Sequence, residues 1–424
     1  MSRARAAALA LAGLGLTGPL SAQGPVMVAD TAPVAYVITV GPGPLLWERF
    51  GHNMLWLHDP TLRADTAYNW GIFDWEEKHF LLNFIRGRMR YRMDGWNAER
   101  TLRFYERSGR SVTVQTLGLA PAEVAALREY IAWNAREENK YYDYDYYLDN
   151  CSTRVRDVLD RALNGRLAAI LRAQPVASTF RSGTARLMAH NPALELGLMF
   201  LLGRGTDRPI TAWEESFIPM DFARHLRGAA IRGDDGRPRP LVLHEEILAS
   251  GDRYPERREP PHWIPKFLLA GGVLGGVLAW AGLQAGRGRG KWLFVTVGGG
   301  WALATALAGV VLTFLWTATD HTIAGANENI LQANLLSLGL FGAMVAWAWG
   351  RDSAGRSARG LATAIAVLSV LGFVLQVLPW FSQVNGDVLA FFVPANLGMA
   401  AGARLSAERI LAPDRTPPPT LRAC

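Results

Sequence analysis

Only two cysteines occur in the 424 residues, Cys151 and Cys424, and nothing in the chain repeats. No cluster of histidines, cysteines and carboxylates stands at metal-ligand spacing, and no glycine-rich phosphate loop is present. The sequence therefore does not read as a disulfide framework, a metal centre, a P-loop or a repeat solenoid, and no cofactor is expected. Charge of one sign is scarce as well. Lysine and arginine number 44 against 37 acidic residues, a formal +7, too small an excess to point to nucleic acid. Two loops in the C-terminal third, 317–330 and 381–387, contain no lysine or arginine at all.

Residues 1–22 read as a secretory signal: Arg3 and Arg5, an apolar run over 6–16, then Leu20-Ser21-Ala22 as a cleavage site. No cysteine follows the cut, so this is not a lipoprotein signal. An uncleaved anchor is the alternative, but the run is short for a span. Without the two arginines the formal charge is +5.

From residue 266 onward five apolar stretches follow, 266–284, 292–316, 331–349, 361–380 and 387–403, each about long enough to cross a bilayer. Arg287, Arg289 and Lys291 separate the first two; Arg351, Arg356 and Arg359 separate the third and fourth; Arg404, Arg409, Arg415 and Arg422 lie in the tail. The positive-inside rule makes these segments cytoplasmic and the two uncharged loops exported. An odd number of spans after an exported domain gives the same orientation. The expected layout is a signal at 1–22, an exported domain at 23–180, a helical extension and linker at 181–265, a membrane domain at 266–403 and a cytoplasmic tail at 404–424.

That topology separates the two cysteines. Cys151 is exported and Cys424 is cytoplasmic, so they cannot pair within one chain. An unpaired thiol in an oxidising compartment is a liability unless it is used. Val155, Val158, Leu159 and Ala162 follow Cys151 at helical spacing, and Asp149-Asn150 just before it offer capping side chains. Cys151 is thus expected at a helix N-terminus, where the dipole favours a thiolate. Such sites bring a thiol pKa from about 8.5 towards ~3.5–7.5. A buried structural cysteine is the plainer alternative.

A thiol nucleophile needs an imidazole within reach. His52, about a hundred residues earlier, opens a predicted strand at 52–58 beside Gly51, whose missing side chain permits close backbone approach. A second predicted strand at 66–73 completes a hairpin. His58 shares a strand face with His52 and is the weaker candidate base. A third polar group should fix the imidazole tautomer; Asn69 and Asp74 both qualify. Further strands are predicted at 33–40, 87–93 and 111–117, and helices at 97–107 and 121–138. The arginines at 88, 90 and 92 alternate onto one face of the 87–93 strand, a solvated edge or a contact for lipid phosphate. A tyrosine-rich run, 141–147, leads into Cys151, and 232–240 reads as a loop.

Trp47…Phe50-Gly51-His52, Tyr68-Asn69-Trp70-Gly71-Ile72-Phe73-Asp74, Gly87…Tyr91 and Asn150-Cys151-Ser152-Thr153-Arg154…Asp157 together resemble the Lnb N-terminal periplasmic domain family. The loop Thr319-Asp320-His321-Thr322…Asn327-Glu328-Asn329-Ile330-Leu331 resembles the family's membrane part. The resemblance implies an α+β, circularly permuted papain-like (NlpC-type) thiol domain in which histidine precedes cysteine, followed by an all-α bundle of five transmembrane helices. It further implies residence in a bacterial inner membrane with the catalytic domain in the periplasm. The implied activity is lipoprotein N-acylation: an acyl chain passes from phospholipid, through a Cys151 thioester, to the α-amine of a diacylated lipoprotein. His52 would be the base. Asn150, Arg154, Tyr68, Asp320, His321, Asn327 and Asn329 are expected to support the site or meet substrate; the alternative for the 317–330 loop is a merely wet connector. Two other classes fit parts of the pattern, a membrane-tethered peptidoglycan or amide hydrolase and a non-enzymatic assembly factor. The first would not need five spans, and the second would tolerate loss of Cys151.

Overall fold

The computed structural model describes residues 32–60, 64–74, 76, 78–233, 236–285 and 289–411. The expected signal at 1–22, Arg287, Arg415, Arg422 and Cys424 lie outside the described residues. Chain order in the first half is β1 (Val34–Val40), β2 (His52–Asp59), β3 (Ala64–Ile72), α1 (Phe80–Arg86), β4 (Met89–Asn97), α2 (Ala98–Arg107), β5 (Val112–Leu117), α3 (Pro121–Asn134), β6 (Tyr141–Tyr144) and α4 (Cys151–Ala162). There follow α5 (Arg166–Arg172), α6 (Phe180–Met188), α7 (Pro192–Leu201), α8 (Ala212–Glu215), α9 (Pro219–Gly228), β7 (Ala230–Arg232), β8 (Pro238–Pro240) and β9 (Val242–Ala249).

Seven strands form one antiparallel sheet in the order β6-β4-β3-β2-β1-β5-β9. The β-branched run of β1 lies inside the sheet, between β2 and β5, and is buried on both faces. One face carries Val37, Leu55, Leu57 and Trp70 and is covered by α3 and α4 through Leu127, Val155 and Leu159. The other carries Ile38, Val40 and Met54 and is covered by α2 through Leu102. Period-two alternation along the strands thus builds two cores from one sheet.

The folded unit does not stop at 180. β9, from the segment expected as a helical extension, pairs with β5 as an edge of the main sheet, and Phe222 of α9 belongs to the same core as α4. The expected loop at 232–240 contains part of a small β7–β8 ribbon.

The C-terminal region contains α10 (Ile264–Gln284), α11 (Gly290–Ala318), α12 (Leu336–Ala348), α13 (Asp352–Val374) and α14 (Gly386–Leu411). Among the described residues five helical segments are long and apolar enough to cross a membrane, the third being Glu328–Ala348. The fourth helix starts at Asp352 rather than near 361, so Arg356 and Arg359 ride on helix instead of in a loop. The regular part of the third starts only at Leu336, because the chain before it is engaged in polar contacts: Gln332 Nε2 donates to Ser369 O at 3.1 Å and Asn396 Nδ2 to Gln332 O at 3.0 Å. Helices α10 and α14 touch backbone to backbone. A Cβ on Gly398 would lie 2.2 Å from Gly275 O, the close approach that small residues permit between spans.

The sheet domain is locked onto the apolar-helix region at the C-terminus of α7. The last carbonyls of any helix lack intrahelical partners. Here Asn327 Nδ2 donates to Phe200 O and Leu201 O, both at 3.0 Å, Asn329 Nδ2 to Phe200 O at 3.0 Å, and Gln383 Nε2 to Leu202 O at 3.0 Å. Gly203 N donates to Ile323 O at 2.7 Å, and a Cβ on Gly203 would lie only 2.0 Å from Gly325 O. Asn329→Ala should leave buried carbonyls short of a donor and cost about 1–3 kcal/mol. Thermal unfolding of the purified full chain in detergent should show the loss, and Gly203→Ala should lower the midpoint as well. An unchanged midpoint in both would refute the lock.

Candidate active site

Asn150 creates the start of α4. Its backbone is extended, and its Oδ1 accepts from Ser152 N at 2.9 Å and Thr153 N at 3.0 Å. Thr153 Oγ1 accepts from Asn150 N at 2.7 Å, completing a reciprocal capping pair. Asn150 Nδ2 donates to Tyr146 O and Phe217 O, both at 2.9 Å. Cys151 is the first helical residue, an unpaired thiol that is partly exposed. The backbone N–H groups of Asn53, Ser152 and Cys151 itself favour its ionised form. Ser152 behind it is clamped by Asn53 Nδ2 at 3.0 Å and donates to Ser216 O at 2.6 Å.

His52 opens β2, and its Nε2 lies 2.8 Å from Asn69 Oδ1 on β3. With a carbonyl oxygen as partner, Nε2 carries the hydrogen in the neutral ring. Nδ1 is then the basic nitrogen. Between the thiol and the imidazole stands Gly71, at a bulge of β3 with φ +135°. A Cβ there would lie 3.4 Å from Cys151 Cβ and 3.4 Å from His52 Cε1. The two side chains therefore flank one glycine-sized gap. Gly51, with φ +79°, has no room for a side chain either: a Cβ would meet Met220 Sδ at 2.5 Å.

A buried cation completes the surroundings. Arg110 is 4% exposed; its Nε donates to Gly41 O at 2.9 Å, its Nη1 lies 3.6 Å from Glu48 Oε1, and its guanidinium stands 5.4 Å from the centroid of Tyr105. Tyr105 in turn lies 6.4 Å from His52, centroid to centroid. Burial, reinforced by repulsion from Arg110, holds the His52 imidazole down at about 4, against a smaller upward pull from Asn69. Burial pushes the Cys151 thiol up to about 11; the three backbone N–H groups and Arg110 act in the opposite direction and are outweighed. The expected thiolate at a helix N-terminus is thus corrected. The helix end acts with the expected sign, but desolvation of the sulfur is larger. At neutral pH the resting pair is thiol and imidazole, both uncharged.

The remaining sequence candidates divide clearly. Asn69 is on the imidazole. Asp74 is exposed, where it accepts from Glu76 N at 2.9 Å. His58 pairs with Asp65 at 2.9 Å, near the opposite end of β2 from His52. Tyr68 packs against the α4-side core, and Arg154 holds Asp149 and stacks 4.1 Å over Tyr142. Asp320 and His321 hold the α1–β4 connection, and His321 stacks on Tyr146 at 6.0 Å between centroids. Asn327 and Asn329 belong to the α7 lock. Gly71, Arg110 and Tyr105 were not singled out in the sequence: only the motif context of Gly71 hinted at it, and nothing local marks the other two.

These features define a class: an α+β domain with a half-buried Cys–His–Asn constellation, joined to a multi-pass bundle of apolar helices. Residues 28–186 match the family model of the Lnb N-terminal periplasmic domain, the family its motifs resemble. No curated protein and no solved structure gives a significant match to the chain.

The pKa directions fix a pH response. In a Cys424→Ser chain, alkylation of Cys151 by iodoacetamide should rise through about 11 rather than through the ordinary thiol range. Arg110→Met should move that midpoint higher, since the cation favours thiolate. A wild-type midpoint near 8.5 would contradict a buried neutral thiol. Stability follows the same groups. Unfolded His52 protonates near its ordinary 6.5 while the folded ring waits until about 4, so its contribution is full above 6.5 and is lost as pH falls towards 4.

Proposed function

We propose that this chain is a thiol-dependent lipoprotein N-acyltransferase of a bacterial inner membrane, with its catalytic domain in the periplasm and of permuted papain-like type. The observation that carries the proposal is the Cys151–His52–Asn69 constellation on a domain locked directly to five helices fit to span a bilayer. The acyl donor is a phospholipid and the acceptor the α-amine of a diacylated lipoprotein, two substrates that stay in the membrane.

In this reading, substrate binding brings an ester carbonyl into the gap beside Gly71. His52 Nδ1 takes the thiol proton as sulfur attacks the carbonyl carbon. The Cys151 backbone N–H, the one in the first turn of α4 that Asn150 does not take, receives the developing oxyanion. The intermediate collapses to a thioester as His52 returns the proton to the departing lysophospholipid oxygen. The lipoprotein amine then attacks the thioester, His52 takes its proton, and the amide leaves with the Cys151 thiol restored. Asn69 holds the ring with Nδ1 towards sulfur. The burial that raises the thiol pKa also limits water, which favours an amine as the resolving nucleophile.

Cys151→Ala and Cys151→Ser should abolish transfer without loss of expression or membrane insertion, and His52→Ala should match them, because residues that act as a unit are not additive. Asn69→Ala should cost about 10²-fold or more in kcat, within the range of general-base catalysis, whereas Asp74→Ala and His58→Ala should stay close to wild type. Purified enzyme with phospholipid alone should accumulate a hydroxylamine-cleavable acyl adduct on Cys151. A diacylated lipopeptide should discharge it, giving a triacylated peptide and stoichiometric lysophospholipid; an N-acetylated lipopeptide should not. Free fatty acid released at the same rate with or without peptide would replace the proposal with a lipase, and cleavage of peptidoglycan stem peptides without an adduct would replace it with a hydrolase.

A further inference from the structure

Helix α1 has no buried residue, and Leu81, Leu82, Phe84 and Ile85 are exposed by 68%, 43%, 41% and 42%. A seven-residue apolar helix standing in water would be costly, since each exposed side chain forfeits its burial energy. Its position gives the reason. The C-terminal carbonyls of α1 are received by the loop that follows α11: Asp320 N donates to Arg86 O at 2.8 Å and His321 Nε2 lies 3.1 Å from Phe84 O. Arg88 Nε donates to Asp320 Oδ2 at 2.7 Å. That loop begins at Thr319, directly after the end of the second span, whose last turns expose Phe314 and Trp316. Helix α1 is therefore held by its C-terminal end at the exported end of a span, with its apolar side chains exposed and the exposed cations Arg86, Arg88 and Arg90 close by in the chain.

On its inner side α1 leads towards the thiol. Phe80 stacks on Phe73 at 5.8 Å, Phe73 meets Tyr91 at 5.2 Å, and Tyr91 stacks on Tyr144 at 4.3 Å, centroid to centroid. Phe73 stands two residues after Gly71, where a Cβ would lie 3.4 Å from Cys151 Cβ. We propose that α1 is seated in the outer leaflet, its leucines and Phe84 among lipid acyl chains and its arginines at phosphate level, and that the Phe80–Phe73–Tyr91 wall guides an acyl chain from the bilayer to Cys151. The second half rests on the acyl-transfer reading; the seating of α1 in lipid does not.

The test uses the full chain in vesicles of phosphatidylethanolamine and phosphatidylglycerol. In a Cys151→Ser, Cys424→Ser background, a nitroxide at Leu81→Cys should collide with dissolved oxygen more than with a water-soluble nickel chelate, and one at Glu129→Cys should show the reverse. A Leu81 label as nickel-accessible as the Glu129 label would overturn the seating. In the cysteine-containing chain, Leu81→Glu with Ile85→Glu should slow Cys151 acylation from vesicle phospholipid by about tenfold or more. Acylation by a water-soluble short-chain p-nitrophenyl ester should be unchanged. Unaltered acylation from vesicles would overturn the guiding role, and so would an equal loss with both donors. Wild-type chain that takes no acyl group from either donor, but whose Leu81 label is in lipid, would refute the acyl-transfer reading and leave the seating standing.

Discussion

The site depends on one side chain, the Asn150 amide. A carboxamide has two acceptor positions and two donor hydrogens, and Asn150 uses them all: two helix N–H groups on one side, Tyr146 O and Phe217 O on the other. This fixes the first turn of α4 to the tyrosine run before it and to the 216–219 segment some seventy residues later in the chain. An aspartate could cap the helix as well but would have no hydrogens for the two carbonyls. Asn53 extends the same clamp to β2 through Ser152. Since His52 is its chain neighbour, the sulfur and the imidazole are placed by one set of hydrogen bonds.

That placement explains why the thiol is protonated at rest. A helix N-terminus and a nearby arginine both favour thiolate, yet Cys151 is pushed up and His52 down. An ion pair in this pocket would need both charges desolvated, and Arg110 already occupies the buried position as a cation. In the acyl transfer proposed above, charge would therefore be created only as a substrate carbonyl arrives, by proton transfer from sulfur to Nδ1. A neutral thiol is also less open to oxidation, since the thiolate is the reactive form.

What was legible in the sequence is what local rules encode. The β-branched runs at 34–40 and 112–117, the capped start of α4 and the apolar spans all follow from neighbours in the chain. The imidazole partner was narrowed to Asn69 or Asp74 but not chosen, because strand register across a hairpin decides which side chain faces His52. β9 was missed because its adjacent half-buried glutamates, Glu245 and Glu246, interrupt any clean alternation. Arg110 and Gly71 matter through contacts with segments far away in sequence. The raised thiol pKa could not be read either: a helix N-terminus is a local feature, whereas burial is a property of the whole fold.

The polar loops of the membrane region show how the two halves constrain each other. Asn327, Asn329 and Gln383 are amides with little exposure, and what they bind are the free carbonyls of α7, which belongs to the exported half. Carbonyls at the end of a helix lack intrahelical partners, and these amides supply the donors where α7 lies against the apolar helices. His321 does the corresponding work on the other side, bonding to α1 and stacking on Tyr146, whose carbonyl is held by Asn150. The chain of contacts from the second span to the thiol is thus short: His321, Tyr146, Asn150, Cys151. A shift of the sheet domain against the apolar helices would therefore be felt at the start of α4.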